Sequence, residues 1–261
     1  MNDMTMTTGG TLSVQDLRVA FGALVALDGV SWEVRPGEIL GIIGPNGAGK
    51  STCYNATTNL VTRSGSVTID GQDVTNVPAS RLAALGLRRA FQQNAFFTDM
   101  TVLDNMISVI QPSYGTGLLR AILRPVSEYR RAAQARDFAV QALIDMGIGP
   151  EFHDRLPGEI PYGTQRMLSI ALANGTGARI LLLDEPAAGL GGDDMRRLCD
   201  RLLALRAAGM AIVIIEHHMD LIMQITDRIV VLDRGRLLAY GTPAKIRSNP
   251  AVLEAYLGRD A

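Results

Sequence analysis

The nine residues Gly44 to Thr52, GPNGAGKST, constrain this chain more than any other stretch. They follow an unbroken apolar run, Ile39 to Ile43, and open a helix. Gly44, Gly49, Lys50 and Ser51 fit the spacing G-x-x-x-x-G-K-[ST] without a mismatch. Glycines let the backbone turn so that successive N–H groups point inward, and a helix N-terminus adds positive potential. Pro45, Asn46, Gly47 and Ala48, with Thr52 beyond, complete a loop suited to cradling a chain of phosphates. Lys50 neutralises β and γ oxygens in such a loop, and the Ser51 hydroxyl can bind Mg²⁺. The competing reading is a chance glycine-rich turn, which the strand before it and the helix after it disfavour. The expected ligand is a nucleoside triphosphate.

The runs Ile39 to Ile43, Ile180 to Leu183, Ile212 to Ile215 and Ile229 to Leu232 are continuously apolar and do not alternate. Strands of a parallel sheet covered by helices on both faces require that composition. Before Gly37 the chain changes character: LSVQDLRVAF and ALDGVSWEV alternate, and GSVTIDGQDV carries the turn pair Asp70-Gly71. These stretches predict an antiparallel β layer beside an α/β core. Between Val126 and Gly147 the apolar positions Ala132, Ala133, Ala139, Val140, Leu143 and Ile144 fall at helical spacing, and Gly147 with Pro150 ends the pattern. We expect one domain over 1–261, with residues 92–165 as a helical subdomain inserted in it. Ordinary connecting helices fit the pattern equally.

Bulk properties exclude several classes. A net charge of −1 with no long Lys or Arg block argues against nucleic-acid binding by bulk electrostatics. Cys53 and Cys199 lie far apart without metal or redox spacing, which predicts two packing residues in a reducing compartment. The opening MNDMTMTTGG has neither the basic start nor the apolar core of a signal peptide, so residues 1–10 are expected to be a disordered tail of a cytoplasmic protein. Apolar runs such as Met210 to Ile215 fall far short of the roughly 20 residues that span a bilayer.

The second chemical signal is ILLLDEP. Asp184 closes a buried strand at the edge where open α/β sheets hold their ligands, and can hold Mg²⁺ through water. Glu185 beside it can polarise an attacking water. Paired acids at a strand end are otherwise solvated loop residues, and the phosphate loop favours the functional reading.

In order, GPNGAGKST, FQQ, PYGTQR, LLLDEP and IIEHH resemble the ATP-binding subunit of ABC transporters over essentially the full chain. ALDGVSWEVRPGEILGIIGPNGAGKST, FFTDMTVLDNM, LLLDEPAAGL, IIEHHMDLIM and NPAVLEAYLG are most similar to the longer ATPase of branched-chain amino acid importers. The resemblance implies that the fold is a P-loop NTPase of the ABC ATPase type and that the activity is ATP hydrolysis with Mg²⁺. It gives Phe21 an adenine-stacking role, against the alternative of a core Phe at a strand end. It gives Gln92 a reach to Mg²⁺ and water, His217 a contact to the γ-phosphate, and Tyr162, Gly163 and Thr164 the ATP of an opposing subunit. His218 and His153 are left as structural or exposed, and no carboxylate or Cys spacing beside the histidines suggests a metal.

Two positions depart from the family pattern. Pro161 stands where a serine hydroxyl faces phosphate, with Thr164 for the usual glutamine, and Gly191 stands where the family places Asp or Asn. A backbone anion site at the helix start remains. The resemblance further implies a head-to-tail dimer with a second ATPase, membrane-spanning permease subunits, an indirect periplasmic solute-binding protein, and a peripheral place on the cytoplasmic face of the inner membrane. Lipopolysaccharide export, a soluble non-transport ABC ATPase and a weakly hydrolysing regulatory partner stay open at this stage.

Overall fold

Continuous apolarity does mark strands buried on both faces. The computed structural model describes residues 9–90, 96–110, 125–175 and 177–257. They divide into two units, one of Met1–Gln92, Ala178–Ala188 and Leu202–Ala261, the other of Gln93–Gly177 and Gly189–Arg201. The second unit therefore reaches further along the chain than the 92–165 expected.

In the first unit the strands are β1 (Leu12–Phe21), β2 (Leu24–Val34), β3 (Ile39–Ile43), β4 (Ser64–Ile69), β5 (Gln72–Asp73), β6 (Leu87–Ala90), β7 (Ile180–Asp184), β8 (Ala211–Ile215), β9 (Arg228–Asp233) and β10 (Arg236–Gly241). One antiparallel sheet has the order β2-β1-β4-β5 and a second, mostly parallel sheet the order β10-β9-β3-β8-β7-β6. The sequence pattern missed β6 and β10, the two edges of the second sheet. The turn between β4 and β5 holds Asp70 at φ 50° and Gly71 at φ 78°, the two left-handed residues a tight hairpin needs.

Helix α1 (Lys50–Thr57) packs in the core between the two sheets. One apolar cluster joins Leu12, Val14, Leu17 and Trp32 of the antiparallel layer to Cys53 and Tyr54 of α1 and to Leu40, Ile42, Val213 and Ile215 of the parallel sheet. The alternate residues Ile39, Ile43, Ile212 and Ile214 are also fully buried, so both faces of these strands are covered. A short helix α2 (Ala79–Leu82) precedes β6. Both cysteines are buried and unpaired; Trp32 Nε1–H donates to Cys53 Sγ at 3.3 Å, and burial pushes that thiol up to about 11. Residues 1–8 lie outside the described set, but Gly10 is buried and donates its N–H to the Arg179 carbonyl, so the expected tail does not extend to it.

The second unit holds α3 (Val102–Ile110), α4 (Pro125–Asp145), α5 (Tyr162–Asn174) and the start of α6 (Gly192–Ala207). The first unit also holds the end of α6, α7 (Met219–Ile225), α8 (Pro243–Arg247) and α9 (Pro250–Leu257). The buried face of α4 is Ala135, Ala139 and Leu143; Ala132 and Ala133 are exposed and Ile144 is 41% exposed, a correction to the apolar face read from the sequence. Alanine is small enough to sit on either side of a helix, so it defines a face poorly. The FFTDMTVLDN stretch is tied down by buried Asn105, whose Oδ1 accepts from Phe97 N–H at 2.7 Å and whose Nδ2 donates to the carbonyls of Phe97, Met100 and Thr101. Among the described residues no helix is long and apolar enough to cross a membrane.

Tyr54 links three elements of the first unit. Its hydroxyl donates to the carbonyls of Ala90 on β6 and Leu182 on β7, at 2.9 and 3.1 Å, and burial pushes its pKa up to about 12. The Arg89 guanidinium lies 4.2 Å over its ring and donates to Thr58 and Asn55. We predict that Tyr54→Phe lowers unfolding stability by about 1–2 kcal/mol, the worth of a buried hydrogen bond with little change in volume. Denaturant unfolding of the two chains checks this.

Candidate functional site

Three neighbouring parallel strands end level. Ile42 of β3 and Asp184 of β7 both pair with Ile215 of β8, so residues just beyond each strand leave the sheet at one edge. The phosphate loop follows β3, Asp184 closes β7 with Glu185 just beyond it, and Glu216 and His217 follow β8. This is the carboxyl edge where open α/β sheets bind ligands.

In the loop, Gly44 and Pro45 are buried while Asn46 and Gly47 are exposed. Two glycines are required by close approach as well as by left-handed backbone. A Cβ on Gly44 would lie 2.2 Å from the Leu232 carbonyl oxygen, and one on Gly49, at φ 100°, 2.8 Å from that of Ala26. At Gly47 a Cβ would meet nothing within 4 Å, so the loop is open there. The Lys50 ammonium points back across the loop and donates to the Gly44 and Pro45 carbonyls at 2.7 and 3.1 Å. Burial lowers its pKa, against the opposing pull of the Glu185 and Asp184 carboxylates. Lysine and acids therefore share one electrostatic site. Ser51 is exposed in the first turn of α1.

Glu185 has φ 46°, uncommon for a side chain with a Cβ, and its N–H donates to the Ile215 carbonyl at 2.8 Å. The strand pairing thus runs one residue past β7 before the chain turns sharply. His217 Nδ1 stands 3.7 Å from Glu185 Oε1. Phe21, the last residue of β1, is 53% exposed and is not a core residue. Gln92 lies outside the described residues.

Sequence reasoning missed Glu216, a fully buried carboxylate. Its Oε1 accepts Ala187 N–H at 2.8 Å; its Oε2 accepts His217 N–H, His218 N–H and faces His218 Nδ1, at 2.9, 3.1 and 2.9 Å. The signal lay in the sequence IIEHH, a carboxylate directly after a buried strand. The expectation that nothing beside the histidines resembles a metal set needs amending, since ligand atoms of Glu216, His217 and His218 lie within 4.8 Å of one another. Glu216 Oε2 is already occupied by these donors, however, and a metal would have to strip them. His153 is buried, with Nε2 3.1 Å from the Ile148 carbonyl, a structural role.

Tyr162, Gly163 and Thr164 form the first turn of α5, in the second unit. Pro161 is the residue before it and makes no side-chain cap. Tyr162 is 48% exposed and Gly163 is buried. A Cβ on Gly163 would lie 2.3 Å from the Asp194 carboxylate, and one on Gly189 3.1 Å from the Tyr162 ring.

A parallel sheet with a glycine-rich loop, a lysine and paired acids at one edge defines a P-loop nucleoside-triphosphate-binding protein. Comparison narrows the class: the family model described as ABC transporter matches residues 27–188, and that described as branched-chain amino acid ATP-binding cassette transporter matches residues 236–261. The high-affinity branched-chain amino acid transport ATP-binding protein LivG of Escherichia coli K12 is 39% identical over 95% of this chain and 97% of its own. BraF of Pseudomonas aeruginosa, of the same description, is 37% identical with the same coverage. The ADP conformation of MJ1267, a solved ATP-binding cassette of an ABC transporter, has TM-score 0.81 and 30% identity, covering 96% of this chain and 100% of that one. The chain belongs to the ABC transporter family, as an ATP-hydrolysing subunit.

The glycine contacts separate two kinds of damage. Both Gly47→Ala and Gly49→Ala bear the left-handed cost of about 1–2 kcal/mol, and Gly49→Ala adds collision with a backbone oxygen. Thermal unfolding should show Gly49→Ala to be the less stable. Gly47→Ala instead places a methyl in the open loop and should weaken ATP binding roughly ten-fold or more, about one charge-assisted hydrogen bond. Titration with a fluorescent ATP analogue reads that loss.

Proposed function

We propose that this chain powers import of a branched-chain amino acid or a related small polar solute, working with separate membrane-spanning permease subunits and a second ATPase. The observation that carries the solute class is the match of residues 236–261 to the branched-chain family model, outside the general ATPase region. The subunit would sit peripherally at the cytoplasmic face of the inner membrane, with a periplasmic solute-binding protein acting on the far side.

In this reading the backbone N–H groups of the loop and Lys50 hold the β- and γ-phosphates of ATP. Ser51 and Asp184 supply hard oxygen donors of the kind Mg²⁺ takes, and Gln92 is their expected companion. Bound there, the ion would neutralise phosphate oxygens in the transition state. Glu185 accepts a hydrogen bond from the attacking water. Water oxygen bonds to the γ-phosphorus as the bond to the β–γ bridging oxygen breaks, releasing ADP and phosphate. His217 contacts the γ-phosphate beside Glu185. Phe21 stacks on adenine, and Tyr162, Gly163 and Thr164 meet the nucleotide of the opposing subunit. Closing such a pair from mostly open to mostly closed needs about 5.5 kcal/mol of differential binding, within reach of two sandwiched nucleotides.

Affinity purification from solubilised membranes tests the assembly: two membrane-spanning chains and a second ATPase should co-purify, and recovery of ribosomal or DNA-repair components instead would overturn it. For the chemistry, Glu185→Gln should lower ATP turnover by roughly 10² to 10⁴-fold with ATP binding retained. Unchanged hydrolysis would remove Glu185 from the role.

A further inference from the structure

The buried Glu216 carboxylate continues the link between the segments that follow β7 and β8 beyond the last sheet bond, from Glu185 N–H to the Ile215 carbonyl. Its strand, β8, lies between β3 and β7, so Glu216 emerges beside the segment that follows Glu185. Oε1 takes the N–H of Ala187, two residues beyond Glu185. Oε2 takes the N–H groups of His217 and His218 and faces the His218 ring, which lies 4.3 Å from the His217 ring at a tilt of 34°. A fully buried carboxylate is tolerable only with its lone pairs satisfied, and here the donors are three backbone groups and one imidazole. Backbone donors cannot swing away as side chains do, so the pairing fixes both chain paths.

We propose that Glu216 is a positioning residue that clamps the Glu185 loop and the His217 loop into one register. It touches no substrate. It acts by holding the Glu185 carboxylate and the His217 ring at the separation the structure shows, 3.7 Å between Oε1 and Nδ1. This rests on the reading above, in which Glu185 polarises water and His217 meets the γ-phosphate. The geometry explains why a carboxylate is needed. In Glu216→Gln the amide keeps length and volume but turns an NH₂ group toward at least one backbone donor, whichever way it lies.

The test is a double-mutant cycle on the full-length chain, with the second ATPase if one co-purifies. Glu216→Gln should lower kcat for ATP about 10²-fold, the scale of a misplaced catalytic group, while KM and ATP-analogue affinity stay within about two-fold. In a His217→Ala background the same substitution should cost far less, because the group it positions is gone. Full additivity, or wild-type kcat in a folded Glu216→Gln chain, overturns the clamp. If Glu185→Gln and His217→Ala are themselves silent, the site reading fails first and the clamp loses its purpose with it. Should Glu216→Gln not fold, hydrogen exchange of the unaltered chain decides: the Ala187, His217 and His218 amides should exchange more slowly than neighbouring loop amides, and rapid exchange at Ala187 overturns the proposal.

Discussion

Everything at the nucleotide edge depends on three parallel strands, β3, β8 and β7, ending in one register. Parallel neighbours point the same way, so their C-terminal exits fall on a single line, and level pairing of Ile42, Ile215 and Asp184 makes that line short. Burial on both faces leaves the strands no freedom to slip, because a one-residue shift would exchange the two buried sets of side chains. The loop at Gly44, the acids at Asp184 and Glu185 and the histidine at 217 thus meet without any of them needing to attract the others.

Two buried carboxylates of the first unit solve the same problem differently. Glu38 pairs with the Arg228 guanidinium, which also donates to the Glu33 carbonyl, and accepts Arg35 N–H. That is a charge neutralised by a charge, at the opposite end of β3 and β9 from the phosphate loop. Glu216 instead relies chiefly on backbone N–H groups, which carry partial positive charge and no mobile side chain. The first arrangement ties elements together through a charge pair; the second does so without any cationic side chain of Lys or Arg.

Much of this was legible in the sequence because the signals were local. Ile39 to Ile43 reads as a doubly buried strand, and GPNGAGKST reads as a phosphate loop wherever it follows one. β6 was not legible: its sequence LRRA carries two arginines, and what holds it is distant in sequence, parallel pairing with β7 and the contacts of Arg89 with Tyr54, Asn55 and Thr58. β10, RLLAYG, is the other edge and is only partly covered, so it lacks the apolar run of its neighbours. The buried face of α4 was misread because alanine fits either side. Glu216 was overlooked for the converse reason: its place directly after a buried strand was a signal, but a glutamate beside two histidines reads as solvated until the Ala187 N–H, 29 residues earlier, is seen to meet it.

The first turn of α5 shows why a motif residue and its function need separate arguments. Pro161 offers no side-chain cap to this helix, so in the proposed reading only backbone N–H groups and the helix dipole would be left to meet a phosphate there. Gly163 matches the pattern, but its lack of a side chain already has a cause inside its own unit, since Asp194 occupies the space a Cβ would need. The Asp194 carboxylate lies in the first turn of α6 and beside that of α5, favourable for both helix dipoles. The glycine therefore reports on packing whether or not nucleotide ever reaches it. Tyr162 is 48% exposed although its ring lies beside Gly189, so packing within its own unit leaves part of it uncovered.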